Sequence, residues 1–354
     1  MAKIIIAGAG GAPSEGVIFS LLKNPKNEVV GMGSEPTDLI LSSAQKKYYV
    51  PYANTDEYQK SLLKILHTEK PDLIHFQNDL EVYHASLIRE EIQATGVKLF
   101  MPEHEVIDAC VHKHKSYQAF FNAGIKVPKN ILLNSVDDLE LAFSKLGDKD
   151  GKIWIRASSI GGGGKGALPT NDLQLAKSWI DHYQGWGDYL AAEMLTSRTV
   201  TWLSIWNEGE LVVAQTRARE GWTHGNRTIS GITGVTKVGV TVDSDLVSKI
   251  AIESIKSITK KPHGIFGVDF AYDKNGIPNP TEINISRFFT TVRFFTEAGL
   301  NMPEIFKCVG LGEEYMEPSV KVNPLNSGLM WVRGMDTDPR LITNETIEQE
   351  IRFL

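Results

Sequence analysis

Two separated stretches of this chain carry side chains suited to handling phosphate and a divalent cation. In IWIRASSIGGGGKGALPT (153–170) an apolar run of β-strand character carries Arg156 and passes through Ser158 and Ser159. It then opens into Gly161, Gly162, Gly163 and Gly164 ahead of Lys165. Each glycine loses more backbone freedom on folding than any other residue, so four in a row need a use. Lacking Cβ atoms, the run can lay its N–H groups against phosphate oxygens and can open and close as a flap. Arg156 supplies a planar cation and Lys165 a mobile one. No Gly-Lys-Ser/Thr opens a helix here, so this is not a Walker-type loop. A plain surface linker would not place an arginine in the flanking strand.

The second stretch, GVDFAYDKNGIPNPTEINISRF (267–288), has Asp269 and Glu282 thirteen residues apart across an Asn275-Gly276 turn, with Asn284 two beyond Glu282. Residues on paired antiparallel arms meet on one face, and positions 282 and 284 share a face by the period of two. Asp269, Glu282 and Asn284 can thus present three hard oxygen ligands to one small volume, a set suited to Mg²⁺ (or Mn²⁺). Ile265, Phe266, Val268 and Phe270 mark the first arm as buried, where an unpaired carboxylate is costly.

The elements that must position these residues fall into two regions. Over 1–108, strands and helices alternate: KIIIAGAG (3–10), a helix 14–23 with Ser14 as N-cap, NEVVGMG (27–33), a helix 56–72, and short apolar runs at 72–78 and 97–102. That alternation predicts an open parallel sheet, an α/β domain. From 109 onward helices at 112–124 (with Pro128 beyond it), 137–147, 171–183 and 244–260 mix with strands at 152–158, 189–195, 200–206 and 210–218 and the hairpin 264–286, an α+β pattern. GAGGAP (8–13) invites a dinucleotide-binding reading, but Pro13 stands where the fingerprint needs its third glycine, and a tight turn accounts for the glycines.

Composition excludes several classes. At 354 residues the chain fits two or three structural units, and a net charge of −6 without a long basic run argues against nucleic-acid binding. No apolar stretch reaches membrane length. Cys110 and Cys308, far apart, predict a reducing compartment, the cytoplasm, and the N-terminus MAKIIIAGAGG is too short and glycine-rich for a signal peptide.

Taken in order, these stretches resemble the ATP-grasp superfamily, in particular members similar to one synthetase half of the carbamoyl phosphate synthase large subunit. The resemblance covers nearly the whole chain. It implies a pre-ATP-grasp parallel-sheet domain (1–108) followed by an ATP-grasp domain (109–354). In the latter, 109–150 and 195–354 form the main body and 151–194 a lid subdomain with the glycine-rich flap. HKHKSYQAFFNAGIKVP maps a phosphate-binding lysine onto Lys113, and the flap maps a phosphate cation onto Arg156, with Ser158 among the nucleotide contacts. AAEML resembles the hinge whose glutamate and backbone take the adenine edge, here Glu193, Met194 and Leu195. The hairpin carries the metal set over as Asp269, Glu282 and Asn284.

The implied activity is ATP-dependent ligation: a carboxylate is phosphorylated to an acyl phosphate and coupled to an amine or similar nucleophile. A stand-alone enzyme phosphorylating bicarbonate or carbamate, and a nucleotide-binding regulatory protein with degenerate catalysis, are the alternatives. The implied partners are small-molecule carboxylate and amine substrates, and the implied assembly is a homodimer. Two departures are visible. The segment TSRTVTW after the hinge lacks the family's ribose-binding acid. Ser286 stands where the family has an arginine, leaving Arg287 or Arg293 to meet substrate. His224 falls where related members have a histidine near the acyl site, and an imidazole suits proton transfer. The loop 216–234 is expected to frame the acceptor pocket.

Overall fold

The computed structural model describes residues 1–159, 166–232, 234–334, 340–343 and 345. Its first sheet is parallel and built from β1 (Ala2–Ala7), β2 (Asn27–Gly33), β3 (Lys46–Tyr49), β4 (Leu73–His75) and β5 (Lys98–Leu99), in the order β3-β2-β1-β4-β5. The run AKIIIA explains the central position of β1. Ile5 and Ala7 join one apolar layer with Leu62, Ile65 and Leu66, while Ile4 and Ile6 join another with Val17, Ile18 and Phe306. Both faces are covered, as a parallel sheet requires. The helix after β1 spans Ala12–Leu22, and Gly11, not Ser14, is its N-cap. The Ser14 hydroxyl reaches back to the Ala7 carbonyl at 2.9 Å, which removes it from capping. Gly10 has φ 90°, and a Cβ there would lie 1.9 Å from the Asp38 carbonyl oxygen, so the turn after β1 is tight for a steric reason.

A four-stranded antiparallel sheet follows: β6 (Asn130–Leu132), β7 (Ile153–Ala157), β8 (Leu168–Thr170) and β9 (Tyr189–Glu193), in the order β6-β9-β7-β8. Its small core unites Ile153, Ile155, Leu168 and Ala191 with Leu139, Ala142 and Leu146 of the helix Val136–Leu146. The small unit therefore takes in β6 and that helix, chain that the expected boundary at 151 leaves outside. The helix begins on a reciprocal capping box between Ser135 and Asp138.

The largest sheet has seven strands: β10 (Thr199–Asn207), β11 (Glu210–Trp222), β12 (Thr236–Thr241), β13 (Gly264–Tyr272), β14 (Pro278–Ile285), β15 (Met330–Val332) and β16 (Arg340–Ile342). They run in the order β14-β13-β10-β11-β12-β15-β16. One face of this sheet changes character along its strands. At one end Leu203, Ile205, Val213 and Ile265 are fully buried in the apolar layer shared with β1. At the other end the same face, followed by the period of two, carries Thr201, Arg217, Asp269, Glu282 and Asn284. The opposite face, with Trp202, Phe266, Val268 and Phe270, is largely apolar, with Ser204 and Thr216 buried among them. The change from apolar to charged within one face is what creates a site.

Candidate functional site

The β13–β14 hairpin puts Asp269 directly opposite Glu282, and Asn284 Nδ2 donates to Asp269 Oδ2 at 3.0 Å. Thr201, opposite Asp269 on β10, donates its hydroxyl to Asp269 Oδ1. The turn that closes the hairpin has Gly276 at φ 75° and Asp273 Oδ1 accepting from the N–H groups of Asn275 and Ile277, so the register is set locally.

Two cations from elsewhere in the chain reach this pair. Lys113, the first residue of the helix Lys113–Asn122, is buried, with Nζ 3.6 Å from Glu282 Oε2. Arg156 on β7 lies 3.8 Å from the same oxygen, and its Nη2 donates to Tyr117 Oη (2.5 Å) and the Thr281 carbonyl (2.6 Å). The two cations are tied together through the chain after β7. The Ser158 carbonyl accepts from Lys113 N at 2.8 Å, and the Ser158 hydroxyl accepts from His114 N at 3.0 Å. Ser158 thus pins the base of the glycine run onto the start of the lysine helix. Gly161, Gly162, Gly163, Gly164 and Lys165 lie outside the described residues.

Burial would raise the Glu282 carboxyl pKa, but Lys113, Arg156 and Arg287 together hold it well below the usual carboxylate range. The carboxylate is therefore ionised and ready to ligate. Among the described residues no three His, Cys, Asp or Glu side chains cluster as metal ligands. The set here is two facing carboxylates, with Asn284 turned so that its amide nitrogen meets Asp269 and its oxygen meets Arg287. Paired carboxylates fit a hard cation that completes its shell with water and phosphate oxygens.

Arg287 is within the constellation but is spoken for. Ser286 sits at φ 54°, ending β14 and turning the chain. Arg287 then makes a two-pronged pair with Asp79 (Nε to Oδ1 2.6 Å, Nη2 to Oδ2 3.0 Å) and donates to Asn284 Oδ1. Asp79 opens the helix Asp79–Leu87, so this pair joins the parallel-sheet region to the hairpin. Arg293 is placed elsewhere: its guanidinium lies over the Phe19 ring at 3.9 Å and 3.4 Å from Glu297. His224 is exposed, at φ 57° ahead of the short turn Gly225–Arg227.

At the seam between the small and large sheets, Glu193 closes β9 and its Oε1 accepts from Lys129 N at 3.0 Å. Met194 and Leu195 follow, half-buried, and Thr196 N then donates to the Tyr272 carbonyl at 2.9 Å. These residues link the end of β9 to the start of the large sheet. Trp202 is core, its Nε1 donating to Ser248 Oγ.

Some contributors were not visible as site residues in the sequence. Asp79, Tyr117, Thr201, Arg217 and Arg219 enter through strand register and through contacts between distant segments. Glu81, buried beside Asn78 and Tyr58, lines a cavity of about 200 Å³ with Gly8, Gly33, Glu35, Asp38 and Tyr52. Burial pushes its pKa up to about 7.

Comparison with solved structures identifies the fold. The chain superposes on N5-carboxyaminoimidazole synthetase from Staphylococcus aureus complexed with ADP, with TM-score 0.69 and 17% identity, covering 94% of this chain and 82% of that one. It superposes on the biotin carboxylase domain of 2-oxoglutarate carboxylase from Hydrogenobacter thermophilus, in complex with MgADP, ADP and bicarbonate, with TM-score 0.69, 15% identity and coverage of 94% and 74%. L-amino acid ligase from Bacillus licheniformis gives TM-score 0.67, 11% identity and coverage of 94% and 79%. No protein-family model and no curated protein sequence matches the chain. The fold is thus the ATP-grasp fold expected from the motifs, a parallel sheet followed by two antiparallel sheets. No described helix is long and apolar enough to cross a membrane.

Proposed function

We propose that the protein is an ATP-dependent carboxylate–amine ligase. The observation that carries this reading is that Glu282, facing Asp269, is flanked by Lys113 and Arg156, which come from two other segments. Two carboxylates and two cations around one small volume are what a metal-bound polyphosphate needs: the carboxylates for the metal, the cations for the phosphate oxygens. The ADP, MgADP and bicarbonate named in the neighbouring structures are consistent with it.

In this reading Lys113, Arg156, Lys165 and the amides of Gly161–Gly164 hold the triphosphate, with Ser158 fixing the base of the flap. Glu193, Met194 and Leu195 take the adenine. Asp269, Glu282 and Asn284 would hold Mg²⁺ (or Mn²⁺), which neutralises charge on the phosphate oxygens. A carboxylate oxygen of the acid substrate forms a bond to the γ-phosphorus in line with the departing ADP, giving an acyl phosphate. This step mainly needs positioning and charge neutralisation. An amine then bonds to the acyl carbon, phosphate leaves, and the amine proton passes to a base, for which His224 is the candidate. Arg287, held by Asp79, keeps Asn284 oriented. Closure of the glycine flap keeps water from the acyl phosphate.

Hydroxylamine trapping tests the reading. With Mg·ATP and a panel of carboxylates including bicarbonate, hydroxamate together with ADP release identifies a ligase and its acid. ADP release with bicarbonate alone points to a bicarbonate-phosphorylating enzyme. Nucleotide binding with no turnover on any acid rejects the ligase reading.

A further inference from the structure

Next to the Asp269–Glu282 pair lies a pair of arginines that the site as described leaves without a task. The strand register sets Glu282, Asp269, Thr201 and Arg217 in one row across β14, β13, β10 and β11. Arg217 is 0% exposed. Its Nη1 donates to the hydroxyls of Thr236 (2.7 Å) and Thr291 (3.3 Å), its Nη2 donates to Thr201 (2.8 Å), and its Nε has no hydrogen-bond partner among the described residues. Arg219, on the same face of β11, donates to Thr236, Thr199 and Thr201 at 3.2–3.4 Å and stacks on the Trp222 ring at 3.9 Å. Among the described residues the pair has one carboxylate within reach, Asp269, 3.9 Å from Arg219.

Buried cations are ordinarily paired, and an arginine cannot shed its proton to escape the cost. Here burial first, and Arg219 second, act against the charge on Arg217, with only Asp269 opposing them. Neutral threonine hydroxyls orient the two guanidinium groups without neutralising them. Asp269, and Glu282 whose charge also reaches Arg219, are members of the metal set, so a metal bound there would take up the carboxylates nearest the arginines among the described residues. The backbone makes room for this arrangement: a Cβ on Gly239, which pairs with Arg219, would come within 2.9 Å of Arg217 Cδ. Arg287 cannot take the same role, because Asp79 already occupies its fork.

We propose that Arg219, backed by Arg217, binds the carboxylate of the acid substrate and holds it at the Asp269 edge of the site. The proposal rests on the ligase reading and adds to it where the acid is bound and by which group. The guanidinium fork suits a carboxylate, and Trp222 and the threonines fix its plane. The acid would then lie on the side of the metal set opposite Lys113 and Arg156, facing the phosphate they hold.

The test is calorimetric titration of the protein saturated with Mg·ADP. The probes are acetate, succinate, citrate, bicarbonate and the common amino acids, applied to wild type, Arg219→Gln and Arg219→Lys. At least one acid should bind wild type. Arg219→Gln should weaken that acid at least tenfold while the ADP affinity stays within twofold. Arg219→Lys, which keeps the charge and loses the fork, should recover part of the loss and serves in place of Arg219→Gln if the latter does not fold. An acid bound equally by wild type and either variant, or no acid bound by wild type, overturns the proposal. Acid binding that depends on Arg219 without any hydroxamate formation would keep the subsite and reject the ligase. Hydroxamate formation undiminished in Arg219→Gln would do the reverse.

Discussion

Replacing Glu282 by glutamine removes one charge and almost no volume, which makes it the cleanest probe of the metal set. Lys113 and Arg156 lie 3.6 and 3.8 Å from this carboxylate. At an effective dielectric of about 20, each contact is worth roughly 4 kcal/mol before solvent screening. With Glu282 neutral, both cations lose that partner and attract a polyphosphate more strongly, which offsets the lost metal contact. Nucleotide affinity should therefore change by less than about tenfold. Turnover has no such compensation. A metal contributes several kcal/mol of charge stabilisation, so its loss should slow the reaction by on the order of 10³-fold. Hydroxamate production with coupled ADP detection measures turnover, and calorimetric titration with Mg·ADP measures affinity. Near-normal turnover would refute the metal assignment. Equal loss of binding and turnover would show that Glu282 organises Lys113 and Arg156 and does not ligate.

Other perturbations separate site from scaffold. Arg156→Met should weaken Mg·ADP binding by about tenfold or more, since it deletes a charge-assisted contact to phosphate; unchanged affinity by titration would remove Arg156 from the nucleotide site. Asp79→Asn leaves the Arg287 guanidinium without its paired carboxylate and should cost about 3 kcal/mol in chemical denaturation; a loss under about 0.5 kcal/mol would mean the pair is not structural. Gly10→Ala must move the Asp38 backbone and escape φ 90°, so it should destabilise by more than about 2 kcal/mol, and a neutral result would contradict the tight turn. Glu81 gives a pH test. Its folded pKa of about 7 lies above the unfolded value near 4.5, so the native state holds the extra proton and stability falls as pH rises through that window. His75, lowered to about 4 by burial, acts oppositely, and stability rises as pH climbs from about 4 to 6.5. Glu81→Gln removes only the first effect. Its stability relative to wild type should increase by about 3 kcal/mol between pH 4.5 and 7, and a flat difference would mean Glu81 is not buried in solution.

What the sequence disclosed, and what it hid, follows from the range of the interactions. Asp269 and Glu282 could be set face to face because a hairpin fixes both by local turn geometry, and Asn275-Gly276 marks the turn. Strand and helix order followed from alternation and hydrophobic spacing, and the ATP-grasp fold from the resemblance carried by the motifs taken in order. Arg217 and Arg219 fall within the stretch 216–234 expected to frame the acceptor pocket, but they could not be singled out, because their meaning depends on how β11 registers against β10 and how β10 registers against β13. The same holds for Arg287: its partner Asp79 lies 208 residues away, and no local pattern joins them. Ser14 shows the converse failure. Its type and position suit an N-cap, yet a carbonyl seven residues back competes for its hydroxyl and wins. The extent of the small unit was underestimated because the apolar stripe of the helix Val136–Leu146 shows that it packs, but not on which sheet.

The central claim is that the hairpin oxygens and the cations Lys113 and Arg156 grip one metal-bound polyphosphate. Crystals grown with Mn²⁺ and a non-hydrolysable ATP analogue test it directly through the anomalous signal of the metal. The account predicts Mn²⁺ bound by Asp269, Glu282 and Asn284, with phosphate oxygens on Lys113 and Arg156. A nucleotide bound with its phosphates away from those two cations, or Mn²⁺ at any other set of ligands, would contradict it.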